Sequence, residues 1–171
     1  MEIRKTDATD WALLKRVRLA ALSNAPTAFG VSYETAAKYT DEQWQERAAA
    51  MAGPEFWLAF MDGNPVGMIG GGISQRHRYN LIGMWIEPHM RGSGIASSLV
   101  ETVKSRALQR GHNLVYLDVS PDNERAANFY LKHGFVFIDE FEPLVSHPHI
   151  TVQTMVWDAN NDVDLIKLQQ G

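Results

Sequence analysis

The chain has no cysteine. Disulfides, thiolate metal sites and a cysteine nucleophile are therefore excluded from its stability and its chemistry. It also lacks any apolar run near the roughly 20 residues that a helix needs to cross a bilayer. Its opening segment, MEIRKTDATD, is charged where a secretion signal is apolar. The expectation is a cytoplasmic protein with no membrane partner. A basic excess is missing as well: 16 Lys and Arg face 20 Asp and Glu, a net charge of −4. Proteins that hold nucleic acid usually carry a basic footprint, so no nucleic-acid partner is expected. Internal repeats, low-complexity tracts and linkers are absent too. What is present is an ordinary soluble composition, 45% apolar and 21% charged over 171 residues. That length suits one domain, which we place at residues 1–157, followed by a tail at 158–171.

Periodicity gives the order of elements. A strand is expected at Glu2–Lys5 and a helix at about Asp10–Leu22, where Trp11, Leu14, Val17, Arg18 and Leu22 fall near helical spacing. SNAPTAFGVSYE then reads as an ordered loop, broken by Pro26 and Gly30. Thr40-Asp41-Glu42-Gln43 fits a capping box at the start of a second helix. Phe56–Met61 and Val66–Ser74, joined by DGNP, predict an antiparallel hairpin, and Leu81–Glu87 a third strand. A helix is expected over Gly94–Arg110, with Ile95, Leu99, Val103 and Ala107 on one face and Gly111 past its end. A strand at Asn113–Ser120, a short helix over PDNERAANFYLKHG and a closing pair at FVFIDEF and TVQTMVWD complete the chain. The fold class is α/β (α+β): a mixed, mostly antiparallel sheet with one central β-α-β crossover and flanking helices.

The turn of that crossover carries the chemistry. Arg91, Gly92, Ser93, Gly94, Ile95, Ala96 and Ser97 form a small-residue loop at a helix start. A helix N-terminus leaves about four backbone N–H groups unpaired and adds the positive end of the helix dipole. Small residues let a phosphate reach those donors. Two readings stand on the residues alone, a diphosphate cradle and a tight turn that needs glycine. A P-loop is ruled out by the missing lysine. A dinucleotide fingerprint fits poorly, because Glu87–Arg91 separates Ile86 from Gly92 by five residues.

Arg91-Gly92-Ser93-Gly94-Ile95-Ala96 resembles the Arg/Gln-x-x-Gly-x-Gly/Ala signature of the GNAT N-acetyltransferase superfamily. A second segment, Asn123-x-x-Ala126-x-x-Phe129-Tyr130-x-Lys132-x-Gly134-Phe135, resembles that family's Asn-x-x-Ala-x-x-Phe-Tyr-x-x-x-Gly-Phe. The resemblance covers about residues 1–157. It implies an acetyl-CoA-dependent N-acetyltransferase, with acetyl-CoA or coenzyme A as cosubstrate and no metal. The acceptor would be an amine, on a small molecule or a protein, and the chain a monomer or homodimer. It further implies that Arg91–Ser97 cradles the pyrophosphate. Backbone groups of Met84 and Ile86, with Trp85 between them, would hold the pantetheine arm, and the Met84 N–H would polarise the acetyl carbonyl. Asn123 would bond the arm, Ala126 leave it room, and Tyr130 protonate the departing thiolate. The same motif on a non-catalytic acyl-CoA-binding domain is the alternative.

The family's acidic or histidine positions early in the third strand read Asn80 and Ile82 here, so a general base does not carry over. Glu34, Glu87 and Asp118 are alternatives by type and location. The acceptor pocket is expected from Asn24–Tyr39, the Trp85 region and Phe141–Ile150, with Phe29, Tyr33, Glu34 and Trp85 at the substrate. His147-Pro148-His149 reads as loop rather than a metal site. Arg76, His77 and Arg78 read as a solvated turn.

Overall fold

In the computed structural model, which describes residues 1–161, the chain runs β1 (Glu2–Lys5), a 3₁₀ turn (Ala8–Asp10), α1 (Trp11–Asn24), α2 (Tyr33–Ala37) and α3 (Asp41–Ala48). It continues through β2 (Glu55–Met61), β3 (Asn64–Ile73), β4 (Tyr79–Ile86), α4 (Ile95–Gln109), β5 (Leu114–Val119), α5 (Glu124–Lys132), β6 (Val136–Leu144) and β7 (His147–Asp158). The strands form one seven-stranded sheet in the order β1-β2-β3-β4-β5-β7-β6. Among the described residues only β4 and β5 pair in parallel; the other neighbours are antiparallel.

Strand periodicity sorts side chains onto two cores. From β2–β4, Phe56, Leu58, Met68 and Trp85 face α1 and α3, where Leu14, Val17, Leu22 and Trp44 meet them. Trp57, Ala59, Ile69 and Ile86 face the opposite side, against Ile95, Leu99, Val103 and Ala107 of α4. Both faces of β2 and β3 are covered, which is why these strands read as nearly unbroken apolar runs. The expected cap of α3 is present: Thr40 Oγ1 accepts from the Gln43 N–H (3.1 Å), and Gln43 Oε1 accepts from the Thr40 N–H (2.9 Å). Gly111, at φ 83°, ends α4 in the left-handed region that glycine adopts without penalty.

Two expectations need correction. The segment read as loop before Thr40 contains α2, whose N-cap Ser32 Oγ accepts from the Thr35 N–H (3.2 Å); five residues are too few to show a helical period. The stretch between the two expected closing strands, Glu142–Ile150, is a turn only at Val145–Ser146. β6 and β7 pair through it, with Phe141 opposite Gln153 and Leu144 opposite His147. Pro143 is tolerated there because β6 is the edge strand and Pro cannot donate to a ladder. His147-Pro148-His149 is consequently strand. As expected, the last strand, β7, ends at Asp158, and buried Ala159 donates its N–H to Asn113 O (2.9 Å). Of the expected tail, 162–171 lies outside the described residues. The Arg76–Arg78 turn is as expected, with both arginines paired to Glu140.

Candidate active site

β4 and β5 pair at only two positions, Tyr79 with Val115 and Asn80 with Tyr116. Beyond Asn80 they part. The cause lies on the other edge of β4. Trp85 pairs with Met68 and Ile82 with Gly70, so Gly83 and Met84 together oppose Ile69 alone. An extra residue in one strand bends it and re-aims the residues beyond the bend. Gly83 takes φ 60°, and a β-carbon there would lie 3.0 Å from Arg18 Nη1; glycine meets both demands.

The parting opens a cleft of about 1190 Å³. Its walls include Gly83 and Met84 of β4, Asp118 of β5, and Asn123, Ala126 and Tyr130 at and along α5. Phe29 and the β6–β7 hairpin close another side. Just past β4, the Glu87 N–H donates to Val66 O of β3 (2.8 Å). Backbone groups alternate along a regular strand, so the Ile86 N–H points to the other edge, where β5 has withdrawn, and Met84 follows in the bulge. That edge is an unpaired template for an extended ligand.

Asn123 caps α5, its Oδ1 accepting from the Ala126 N–H (3.3 Å), which leaves the amide NH₂ to the cleft wall. The Tyr130 ring is held edge-on by Phe129 (5.3 Å between centroids) and Phe135 (5.7 Å). Burial pushes its phenol well above the ordinary value. The hydroxyl therefore keeps its proton throughout the physiological range.

The loop before α4 does not line this cleft; it follows β4 outward. Gly92 (φ 83°) and Gly94 (φ 87°) are left-handed, and no atom lies within 4 Å of a β-carbon built at either. Gly94 is the N-cap, with no side chain bonding the helix end. The first helical bond is Ser98 N–H to Gly94 O (3.2 Å), so the N–H groups of Ile95, Ala96 and Ser97 stay open. The side chains are committed elsewhere: Ser93 Oγ donates to Met90 O (2.5 Å), Ser97 Oγ bonds His133 Nε2 (3.1 Å), and Ile95 is buried. Arg91 Nη2 reaches Asn24 Oδ1 (3.4 Å) at the surface. The backbone and one arginine thus remain for an anion.

Several expected lining residues stand apart from the cleft. Tyr33 and Glu34 are exposed on α2. Trp85 is turned into the α1-side core, with Nε1 donating to Asn24 Oδ1 (3.1 Å). Strand alternation fixes this, since Met84 faces the opening and Trp85 cannot. Ile86 is also buried. Of the three carboxylates considered as base, Glu87 pairs with His89 (3.3 Å) away from the cleft. Asp118 lines the cleft and accepts from Thr154 Oγ1 (2.7 Å). No metal-holding cluster of His, Cys, Asp or Glu occurs among the described residues.

Two residues went unassigned in the sequence. Gly83 makes the bulge, and an isolated glycine in an apolar strand is its signal. Arg18 stands in the cleft wall beside it. Its signal is a charge set one turn from both Leu14 and Leu22 on the buried stripe of α1.

The sequence model of the acetyltransferase (GNAT) family matches residues 19–135. An acetyltransferase of Pectobacterium atrosepticum is 30% identical over 84 residues, 49% of this chain and 59% of that protein. The chain spans less than two thirds of the length of the sequence relatives it matches first. A GNAT-family acetyltransferase from Streptococcus pneumoniae has the same fold, with a TM-score of 0.75 and 23% identity over 91% of this chain and 96% of its own. The PaiA N-acetyltransferase of Thermoplasma acidophilum, crystallised with coenzyme A, aligns with a TM-score of 0.70 and 22% identity over 92% and 98%.

Proposed function

Because the chain belongs to the acetyltransferase (GNAT) family, we propose that it transfers an acetyl group from acetyl-CoA to a primary amine by direct attack, both substrates being bound at once. The observation that carries this reading is the bulged β4, whose unpaired edge borders the Tyr130 cleft and leads to the open helix start at Gly94. The residues fit the cosubstrate: three free N–H groups and Arg91 suit a diphosphate, and the β4 edge suits an amide-bearing arm. The PaiA neighbour's coenzyme A supports the same choice. Acetyl-CoA supplies an activated acetyl group on a thiol leaving group.

The chain's residues then divide the work. Ile95, Ala96, Ser97 and Arg91 anchor the diphosphate. The Ile86 N–H and Asn123 NH₂ fix the arm. The Met84 N–H points at the acetyl oxygen, where negative charge develops as the amine attacks; a fixed donor there contributes about 3–4 kcal/mol. Asp118 takes up the proton that the amine must lose. Tyr130 Oη gives a proton to the departing sulfur and is reprotonated from the cleft. Phe29 packs the acceptor side. Residues 1–157 act as one catalytic domain in the cytoplasm, without nucleic acid or membrane.

A panel of amines offered with acetyl-CoA, read by free-thiol release, tests the reading. Amine-dependent release with an acetylated product is expected. Tight acetyl-CoA binding without turnover on any amine would instead favour a non-catalytic acyl-CoA-binding domain.

A further inference from the structure

Arg18 is placed where a cation is costly. Its Nη1 is fully enclosed and makes no hydrogen bond, and no carboxylate pairs with it among the described residues. The Phe29 ring lies 5.1 Å from its Cζ, a contact that offsets only part of the desolvation. Burying a charge without a partner is strongly unfavourable. A second cation, Arg47, stacked on the Tyr39 ring at 3.8 Å, lies on the same side and repels it. Arg18 and Arg47 also border a smaller cavity of about 200 Å³ together with Trp44. Trp44 is buried, and its Nε1–H is likewise unpartnered. Side-chain donors without a carboxylate therefore gather on the α1–α3 side of the cleft.

The opposite wall has the other sign. Asp118 and Asp122 line the cleft on the β5–α5 side, near Asn123 and Tyr130. Gly83 joins the two sides: Arg18 sits against its missing side chain, one residue before Met84. A ligand that brings an amine to Met84 while filling the space beside Gly83 meets Arg18 with its next few atoms.

We infer that the acceptor is a small amino acid, a primary amine carrying a carboxylate that Arg18 receives. This rests on the acetyl-transfer reading of the same cleft. The amine is drawn to the acidic wall, and the carboxylate supplies the anion that Arg18 lacks. A polyamine would place a second cation against Arg18, and an uncharged amine would leave it unpaired.

The test uses α-, β- and γ-amino acids and their primary carboxamides, each offered with acetyl-CoA to the wild-type chain and to Arg18→Gln. Arg18 holds no salt bridge among the described residues for Arg18→Gln to break, and Arg18→Lys serves as the charge-retaining control. For at least one amino acid, kcat/KM should exceed that of its carboxamide by roughly 10–100-fold, the range for one charge-assisted pair. Arg18→Gln should abolish that preference by lowering the acid and sparing the amide, and Arg18→Lys should keep part of it. Calorimetry on the CoA-saturated protein should give the same ranking without turnover. Equal use of acids and amides, equal loss of both in Arg18→Gln, or no binding of any amino acid to the CoA-saturated protein would overturn the assignment. Each of these leaves acetyl-CoA binding, and with it the acetyl-transfer reading, intact. Failure to bind acetyl-CoA would overturn both.

Discussion

Replacing Tyr130 by Phe removes one oxygen and leaves the ring between Phe129 and Phe135. The fold should therefore keep its melting temperature. The cost to catalysis depends on the proton the hydroxyl holds. An ordinary phenol titrates near 10 and a thiol near 8.5, a gap of about 1.5 units or about 2 kcal/mol against full transfer to sulfur. Burial raises the phenol further and widens the gap. The hydroxyl therefore gives up its proton only as charge appears on the sulfur, and recovers it at once from the cleft. Losing such a donor should lower kcat by about 10²–10⁴, or roughly 3–5 kcal/mol, with acetyl-CoA affinity little changed. Steady-state kinetics with acetyl-CoA and with an aryl thioester, whose thiol leaves without help, separate the effects. The deficit should shrink with the aryl thioester. Because the folded phenol stays protonated to higher pH than a free one, the rate should show no alkaline loss through Tyr130 below about pH 10. An equal deficit with both donors, or an alkaline limb below that pH which vanishes in Tyr130→Phe, would refute the proton-donor role.

The remaining predictions concern the cradle and the fold. Arg91→Ala should weaken acetyl-CoA binding and flatten its salt dependence, as measured by calorimetry at two ionic strengths; unchanged binding would remove Arg91 from the cradle. Gly94→Ala forces a β-carbon into φ 87°, which costs about 1–2 kcal/mol; a fall in melting temperature together with weaker acetyl-CoA binding is expected. Thr40→Ala removes one side of the α3 capping box, about 1 kcal/mol, and should lower the melting temperature by about 2–4 °C in a chain of this size without altering turnover. Glu55 is buried, which alone would raise its carboxyl, but hydrogen bonds from Arg106 and Lys5 outweigh this and hold it below 4.5. Its stabilisation is therefore complete above that value and lost as pH falls through the lower folded one. Urea melts should show Glu55→Gln destabilised at neutral pH, with the difference from wild type closing in acid.

What the sequence made legible was what lies contiguous in it. Ile95, Leu99, Val103 and Ala107 recur at helical spacing within one element, and they do form the buried face of α4. The Arg91–Ser97 loop and the Asn123–Tyr130 segment were recognisable because each is a single run. What opens the cleft was not, because β4 leaves β5 at a point set by how β4 registers against β3. Gly83 and Arg18, which meet at that point, are 65 residues apart in the sequence. The direction of the Trp85 side chain was hidden for a related reason: adjacent strand residues face opposite sides, and only the register tells which side holds the cleft. Pro143 and Pro148 hid the length of the last hairpin. Proline ordinarily argues against a strand, and only an edge strand or the start of a strand accommodates it.

The cosubstrate assignment gives particular amides to the ligand, and hydrogen exchange with and without saturating acetyl-CoA reads those amides one by one. New protection is expected at Met84 and Ile86 and at Ile95, Ala96 and Ser97, with β1 and β2 unaffected. Acetyl-CoA bound at saturation with those five amides exchanging as in the free protein would contradict it.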